Sequence, residues 1–345
     1  MSRVRQFGLD WKADGEFTAV VNRGWGLNGH PSLQGGMTAS LEFSQAVAEK
    51  SALDFGRMVL VEDDEAGVPA WSGMIDPPWF PTLPVKATAY SLEYLASLRT
   101  PDRVRVLRGS FESVLKDLLL MINDVEDLQI RIGNLGQLPT AQQQLTVKQK
   151  SLWAQLNDFA KRESVEFMLR PTYEQRQPLM IYLDADDEMG VDTEYFLHDG
   201  ENANMQILDA SISRKIVNRL IGIGKQDTQG SRLQTAPFSD VESIRKYRMR
   251  SEVRQYGNLT ILSALNQATQ NALASSKRAP LKLQIAIVDS AAFPYCRPGN
   301  RVRVHASRLW LPGGAVGWRG PMRILQMAYD ETDRILKTTL EAYYT

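Results

Sequence analysis

Residues 216–227 read IVNRLIGIGKQD, and the fold turns on what this stretch is for. The apolar run, the Gly-x-Gly and the lysine look like the front of a phosphate-binding loop. A Walker loop needs four residues between its glycines, then Lys and a Ser or Thr to reach phosphate and magnesium. Here Gly222 and Gly224 are two apart and Gln226 follows Lys225, so no hydroxyl is placed for a metal. A dinucleotide fingerprint needs a third glycine at the opening of a helix, and none comes. The residues predict a strand whose glycines mark a place where something packs close.

The stretch also has an echo. IVNRLIG (216–222) shares Val-Asn-Arg and a following glycine with VVNRGWG (20–26). The echo continues in order. Gly56 leads into MVLV, a turn, Trp71-Ser-Gly and Ile75, then the long alternating run VKATAYSLEYL (85–95). Gly299 leads into RVRV, a turn, Trp318-Arg-Gly and Ile324, then RILKTTLEAYY. The Gly-to-Trp separations are 15 and 19 residues. TASLEF precedes the first series and LKLQIAIV the second. Two strand-rich units on one plan, over 1–97 and 206–345, are therefore expected, with Trp71 and Trp318 in equivalent places.

Outside the echo, FTAVV (17–21), TASLEF (38–43), MVLVE (58–62) and WSGMI (71–75) read as strands by their period of two. Gln45 to Phe55 reads as one short helix, and DDEAG (63–67) as a hairpin tip. The period then changes. Phe111, Val114, Leu115, Leu118, Leu119 and Ile122 fall at spacings of three and four, with Ser110 as N-cap. LQIRI (128–132) reads as a strand, NLGQLPTAQQQ (134–144) as a polar loop, and Ser151 to Arg162 as a second helix burying Leu152, Leu156, Phe159 and Ala160. VEFMLR (165–170) and LMIYLD follow as strands. Residues 98–205 are thus expected to form an α+β unit. Beyond it, QILDASIS, KIVNRLIGIG, LKLQIAIVD, NRVRVHA and MRILQMAY alternate. They are interrupted by one helix from Ile261 to Ser276 with Leu262, Leu265, Thr269, Ala272 and Leu273 on one side. The fold class is mainly β with an α+β insert.

Composition narrows the function classes. At 345 residues the chain is long enough for two or three domains. Hydrophobic residues make up 43% and charged residues 23%, which argues against wholesale disorder. Forty basic and forty acidic side chains cancel, leaving no general nucleic-acid footprint. A single cysteine, Cys296, excludes an intramolecular disulfide and a multi-cysteine zinc site. Neither a signal peptide nor a membrane span is legible.

Catalytic constellations are thin. His30, His198 and His305 are far apart in sequence and lack metal-ligand spacing. Cys296 sits in FPYCRPG, a proline-bounded turn with no protease signature. DADDEMG (184–190) starts like a calcium loop, but positions six and twelve hold Met189 and Tyr195 instead of Gly and Glu, so a solvated turn is expected. Asp63, Asp64, Asp184 and Asp187 would have to converge to form a hydrolytic carboxylate pair. No catalytic, cofactor or metal residue is assigned. Between Ser213 and Arg254 basic residues outnumber acidic ones, with Tyr247 and Tyr256 interleaved. That composition suits a nucleic-acid surface or a subunit interface, where Arg and Tyr are enriched. The zero net charge favours the interface, with Arg245, Lys246, Arg248, Arg250 and Arg254 as its candidates.

Several stretches resemble a known family. VPAWSGMIDPP (68–78) followed by VKATAYSLEYLASLR (85–99) is similar to the first-barrel segment of phage tail hub proteins, found in contractile baseplates and in long flexible tail tips. LHDGENANMQILDASISRKIVNRLIGIGK (197–225) resembles their return into a second barrel, with Asn202 and Asn218 at matching places. DVESIRKYRMRSE (240–252) is similar to the stretch that follows, although the family has glycine where this chain has Arg248. The resemblance implies two tail-tube-like β-barrels around the α+β unit, in a homotrimer. Such a trimer adapts a sixfold tail tube to a threefold tip and lines the DNA channel. It further implies a tail-tube or distal tail protein above, a tip or spike protein below, and tape-measure protein and passing DNA in the lumen. The place is the virion tail, assembled in the host cytoplasm, with no membrane partner, no cofactor and no enzymatic activity. The chain stops at Tyr343-Tyr344-Thr345, so no lytic domain is expected after the second barrel. Two other readings are a carbohydrate-binding tail protein, with Trp25, Trp79 and Trp310 as a platform, and a hydrolase with its site in the α+β unit.

Overall fold

Alternation in the N-terminal region buries every second side chain on one side of a curled sheet. The strands are β1 (Ser2–Phe7), β2 (Ala13–Gly26), β3 (Thr38–Phe43), β4 (Met58–Glu62), β5 (Trp71–Phe80) and β6 (Val85–Ser91). Val4, Val21, Leu41, Val59, Ile75 and Ala89 from these strands share one core. The computed structural model describes the chain except residues 9, 30–37, 45–55, 63–66, 81–83, 125, 176, 213–215, 227–231, 258, 279, 312–315 and 343–345, and gives only the backbone at 77–80. The helix expected over 45–55, all but the last residue of DDEAG, His30, Asp63 and Asp64 lie outside the described residues.

The six strands are ordered β1-β4-β5-β6-β3-β2, and β1 also pairs with β2, so this barrel closes. Sequence reading passed over β1. Its outward side chains are Arg3 and Arg5, which pair with Glu62 at 3.3 and 2.7 Å, so only Val4 and Phe7 advertise it. The run VKATAYSLEYL is not one strand. It turns helical at Leu92 to form α1 (Leu92–Ser97), because Leu92, Leu95 and Ala96 sit at helical spacing and are buried together in the next core.

That next core belongs to the α+β unit. Its helices are α2 (Phe111–Asn123) and α3 (Leu152–Glu163), each capped by a serine: the Ser113 and Ala154 N–H groups donate to the Ser110 and Ser151 hydroxyls. Only the Ser110 cap was expected; Ser151, read as the first residue of its helix, is the N-cap of α3. The apolar faces of the two helices meet, with the Phe111 and Phe159 rings stacked at 4.7 Å. A three-stranded sheet, β10 (Glu166–Thr172), β11 (Met180–Asp186) and β8 (Ile130–Leu135) in that order, packs beneath. A second pair, β7 (Arg105–Gly109) with β9 (Gln143–Val147), was not legible. Strand β9 lies partly inside the segment read as a polar loop, and of its inward residues only Leu145 and Val147 are apolar.

The C-terminal sheet repeats the first barrel's plan. Its strands are β12 (Asp192–His198), β13 (Met205–Ile212), β18 (Leu281–Ile287), β19 (Arg301–Trp310), β20 (Val316–Asp330) and β21 (Ile335–Ala342). They run β12-β19-β20-β21-β18-β13, matching β1-β4-β5-β6-β3-β2 place for place. Trp71 and Trp318 lie on the matched strands β5 and β20, and each ring covers the glycine two residues on. A Cβ at Gly73 would meet Trp71 Cη2 at 2.4 Å, and one at Gly320 would meet Trp318 Cη2 at 3.1 Å. The MVLV and RVRV echoes are offset by two residues, since Gly73 faces Val59 whereas Gly320 faces Val304. An even offset keeps the inward face inward.

One pairing differs. β12 is parallel to β19, whereas β1 is antiparallel to β4. Four antiparallel steps and one parallel step leave β12 and β13 running in the same sense. A six-residue link cannot join them as a parallel pair, and no β12–β13 ladder forms among the described residues. Asn204 ties them instead: its side chain accepts from the His198 N–H at 2.8 Å and donates to the Phe196 carbonyl at 2.9 Å.

The two barrel sheets are continuous through β2 and β20, which pair from Arg23↔Tyr329 to Gly26↔Gln326. VVNRGWG therefore sits at the junction. Asn22 Oδ1 accepts from the Glu331 N–H at 2.8 Å, and buried Glu331 accepts from the Val21 N–H and the Ser2 hydroxyl, each at 2.8 Å. Its echo does a different job. IVNRLIGIGKQ is not barrel framework. It enters β14 (Arg219–Gln226), which pairs with β15 (Arg232–Gln234), β16 (Phe238–Ser239) and β17 (Ser251–Gln255) in a separate small sheet. Helices α4 (Val241–Tyr247) and α5 (Leu262–Ser276) complete this insert between β13 and β18. The glycines do mark close packing. A Cβ at Gly222 would lie 2.1 Å from Thr269 Oγ1 on α5, and one at Gly224 2.7 Å from the Leu259 carbonyl. On α5, Leu265, Thr269 and Leu273 are buried, whereas Leu262, expected on that face, is exposed.

DADDEMG is a solvated turn only in part: Asp184 to Asp186 end β11 and Asp187 is exposed. It docks against residues 297–301. Glu166 and Arg323, both buried, form a two-pronged ion pair, with Arg323 Nη1 to Glu166 Oε1 at 2.6 Å. Arg323 also donates to the carbonyls of Met189 at 2.6 Å and Gly299 at 3.1 Å. Arg301 pairs with Glu188 at 2.8 Å and with Asp192. This seam fixes the α+β unit to the second barrel.

Candidate assembly surface

The basic segment begins where Asp240 caps α4. Its Oδ1 accepts from the Ser243 N–H at 2.8 Å and its Oδ2 from Lys277 Nζ at 2.8 Å. The Lys277 ammonium, and then the Ser243 N–H, hold this carboxyl below its usual range. The cap anchors α4 to the end of α5. Arg245 and Lys246 then occupy the last turn, where cations suit the helix dipole. Both are exposed, with Lys246 5.2 Å from the Tyr247 ring.

Arg248 ends the helix with φ +65° and ψ 163°. That region is essentially reserved for glycine. The side chain that clamps this turn is Asn218, fully buried: its Nδ2 donates to the Arg248 carbonyl and its Oδ1 accepts from the Arg250 N–H, both at 2.7 Å. Asn218 over-determines a turn that this sequence builds without glycine. Arg248→Gly is expected to raise stability by about 1 kcal/mol, read from the midpoint of urea unfolding. An unchanged or lower midpoint contradicts the strain.

The five candidates divide. Arg245, Lys246, Arg248 and Arg250 are exposed on α4 and the turn after it. Arg254 is half-buried and donates to Glu252 at 3.0 and 3.1 Å. It lines a cleft of about 470 Å³ between α3 and the insert, together with Phe159, Lys161 and Tyr256. Arg254 is thus already paired within the chain.

The other sequence candidates are absorbed by structure. Cys296 is buried, and burial pushes its thiol up to about 12, away from nucleophilic use. Asp184 binds Arg170 at 2.7 Å and accepts from the Asn134 N–H at 2.7 Å. Asp187 is exposed at the bend after β11, and partial loss of solvent around its carboxyl, then the hydrogen bond with neighbouring Asp186, raise it above its usual range. Among the described residues no three His, Cys, Asp or Glu side chains cluster as metal ligands. Trp25 is buried with its Nε1 donating to the Ala70 carbonyl at 3.1 Å, which removes it from any glycan platform. Trp310 is 76% exposed, and the Trp79 side chain lies outside the described residues. His198 and His305, far apart in sequence, are register partners on β12 and β19, and Phe196 stacks on His198 at 5.6 Å.

Sequence reading missed β12 altogether. With β19 and β20 it forms an open cleft of about 600 Å³ lined by Glu194, Phe196, Arg303 and Arg319. The available signal was the alternation of Thr193, Tyr195 and Leu197, masked by Asp192, Glu194 and an outward Phe196.

No protein-family model matches the sequence, and no curated protein does. Solved structures do match over nearly the full length. Prophage tail protein gp18 from Listeria monocytogenes EGD-e is 14% identical, with 99% of this chain and 94% of that chain covered and a TM-score of 0.61. The tail protein from Neisseria meningitidis MC58 is 12% identical, with 99% and 96% covered and a TM-score of 0.63. The 43 kDa tail protein of prophage MuSo2 from Shewanella oneidensis is 13% identical, with 99% and 98% covered and a TM-score of 0.59. The chain has the fold of these phage tail proteins.

Proposed function

We propose that the chain is a structural virion protein, the trimeric hub of a phage tail tip or baseplate. The observation that carries this reading is the repeated strand order, β1-β4-β5-β6-β3-β2 against β12-β19-β20-β21-β18-β13, in a chain with a tail-protein fold. Two barrel units, over about residues 1–97 and 206–345 with β12 joining the second, flank the α+β unit of 98–205. Three chains with two such units each supply six similar units around a threefold axis. That is the arithmetic for joining a sixfold tube to a threefold tip. On this reading a tail-tube or distal tail protein sits above and a tip or spike protein below. Tape-measure protein and DNA pass through the lumen, and assembly takes place in the host cytoplasm. The chain acts without catalysis. A buried, protonated thiol and carboxylates engaged by arginine or backbone N–H groups fit a scaffold better than a reaction centre.

A solution mass measurement tests the homotrimer. Barrel edges that a ring would cover are open in a lone subunit, so a weak, concentration-dependent monomer–trimer mixture is expected by light scattering. A stable dimer contradicts the hub, and tight glycan binding in a parallel screen would favour the carbohydrate reading.

A further inference from the structure

Charge is segregated along the chain. From Gln177 to Ser213 there are nine acidic residues and no Lys or Arg. Some of these carboxylates are used internally, Asp184 by Arg170 and Asp192 by Arg301. Glu194, Glu201 and Asp209 on and between β12 and β13 are exposed, without an ion-pair partner among the described residues, although Glu194 shares its cleft with Arg303 and Arg319. The insert that follows is the counterpart. Arg245, Lys246, Arg248 and Arg250 are exposed, and no carboxylate pairs with them among the described residues.

Each set is accompanied by exposed apolar side chains: Leu208 (50%) and Phe196 (39%) beside the carboxylates, Met249 (62%) and Val253 (55%) beside the cations. Each also borders an open strand edge. Among the described residues β13 pairs only with β18, and β17 only with β14. Open edges flanked by apolar residues are sites that proteins cover. A purely electrostatic DNA surface needs neither the apolar residues nor an acidic counterpart.

We infer that these two surfaces are the two halves of one contact: a second copy of this chain seats its β12–β13 face on the α4–β17 face of the first. The inference rests on the proposed homotrimer and names the partner surface of Arg245, Lys246 and Arg250. A contact between two different patches of one chain is heterologous, and it closes into a ring when the rotation between copies is right. Opposite charges select the register and suppress like-to-like pairing.

The test is a charge exchange, read as the self-association constant by sedimentation velocity. Reversing the basic set (Arg245→Glu, Lys246→Glu, Arg250→Glu) is expected to weaken association at least tenfold. Reversing the acidic set (Glu194→Lys, Glu201→Lys, Asp209→Lys) should do the same. The chain carrying both sets should regain wild-type association to within about threefold, since complementarity is restored with exchanged signs. Arg248 is left alone because its backbone is strained. Circular dichroism checks folding, and Gln in place of each reversed residue serves where reversal prevents folding. If wild type associates and the single sets do not weaken it, the contact is overturned while the homotrimer stands. Failure of the combined chain to recover overturns the pairing of the two faces. A wild type that stays monomeric at every concentration removes both readings. Tight, salt-sensitive duplex DNA binding that is lost with the basic set assigns that surface to nucleic acid instead.

Discussion

Glu166→Ala is expected to lower stability by about 3–5 kcal/mol, because it leaves the buried Arg323 guanidinium with only a distant carboxylate, Glu188 at 3.8 Å and shared with Arg301, among the described residues. Arg323 is 7% exposed and Glu166 also 7%. The pair joins β10 of the α+β unit to β20 of the second barrel, so the loss falls on the contact between units. Removing the carboxylate also orphans the Met189 N–H, which donates to Glu166 Oε2 at 3.0 Å. Replacing both partners, Glu166→Leu with Arg323→Met, is expected to recover most of the loss, since an apolar pair leaves no unpaired charge. Urea unfolding followed by tryptophan fluorescence reads both. A loss below about 1 kcal/mol for Glu166→Ala means the pair is exposed to water and the seam is not closed.

Gly190→Ala should cost about 3–5 kcal/mol at the same seam, for a steric reason. Gly190 has φ +98°, and a Cβ there would lie 2.1 Å from the carbonyl carbon of Gly299. Gly299 is held reciprocally at φ +94°, 2.7 Å from the Met189 carbonyl by the same measure. Backbone meets backbone, so no side chain can swing aside. Gly56→Ala is the control. Its φ is +81° with nothing within 4 Å of a Cβ, so only the backbone term of about 1 kcal/mol is expected. Equal losses at the two positions would show that contact at the seam contributes nothing. Combined with Glu166→Ala, the Gly190→Ala loss should be less than additive, because both open one interface.

Legibility of each element in the sequence depended on period. Strands with clean alternation and apolar inward faces, such as TASLEF and LKLQIAI, were legible. So were α2, whose Ser110 cap and three-four spacing agree, and α3. The ordered Trp-x-Gly echoes led to the matching strand order. What failed has identifiable causes. β1 and β12 carry charges on their outward faces that mask short inward runs. VKATAYSLEYL changes period at Ser91 without a glycine or proline to announce it. The likeness of IVNRLIG to VVNRGWG is real in residue order, and in both the asparagine holds a neighbouring turn by its backbone. The two stretches nevertheless sit in different sheets, because pairing partners are set by the whole chain.

The candidate surface was legible as composition only. Sequence marked Arg245 to Arg254 as one group. The alternation of β17 and the nearness of Glu252 separate Arg254 from the rest. Nothing in the sequence announced that DADDEMG docks against residues 297–301 through Arg301 and Arg323, because ion pairs over such separations have no local signature.

The place of the chain in a tail is tested by imaging the particle that carries it. Electron cryo-microscopy of the tail end, averaged with threefold symmetry, is expected to resolve three copies in a ring. Their six barrel units should continue the sixfold wall of the tube around an open channel. A particle that lacks the chain, or one in which it repeats along the tube with sixfold symmetry, would contradict the account.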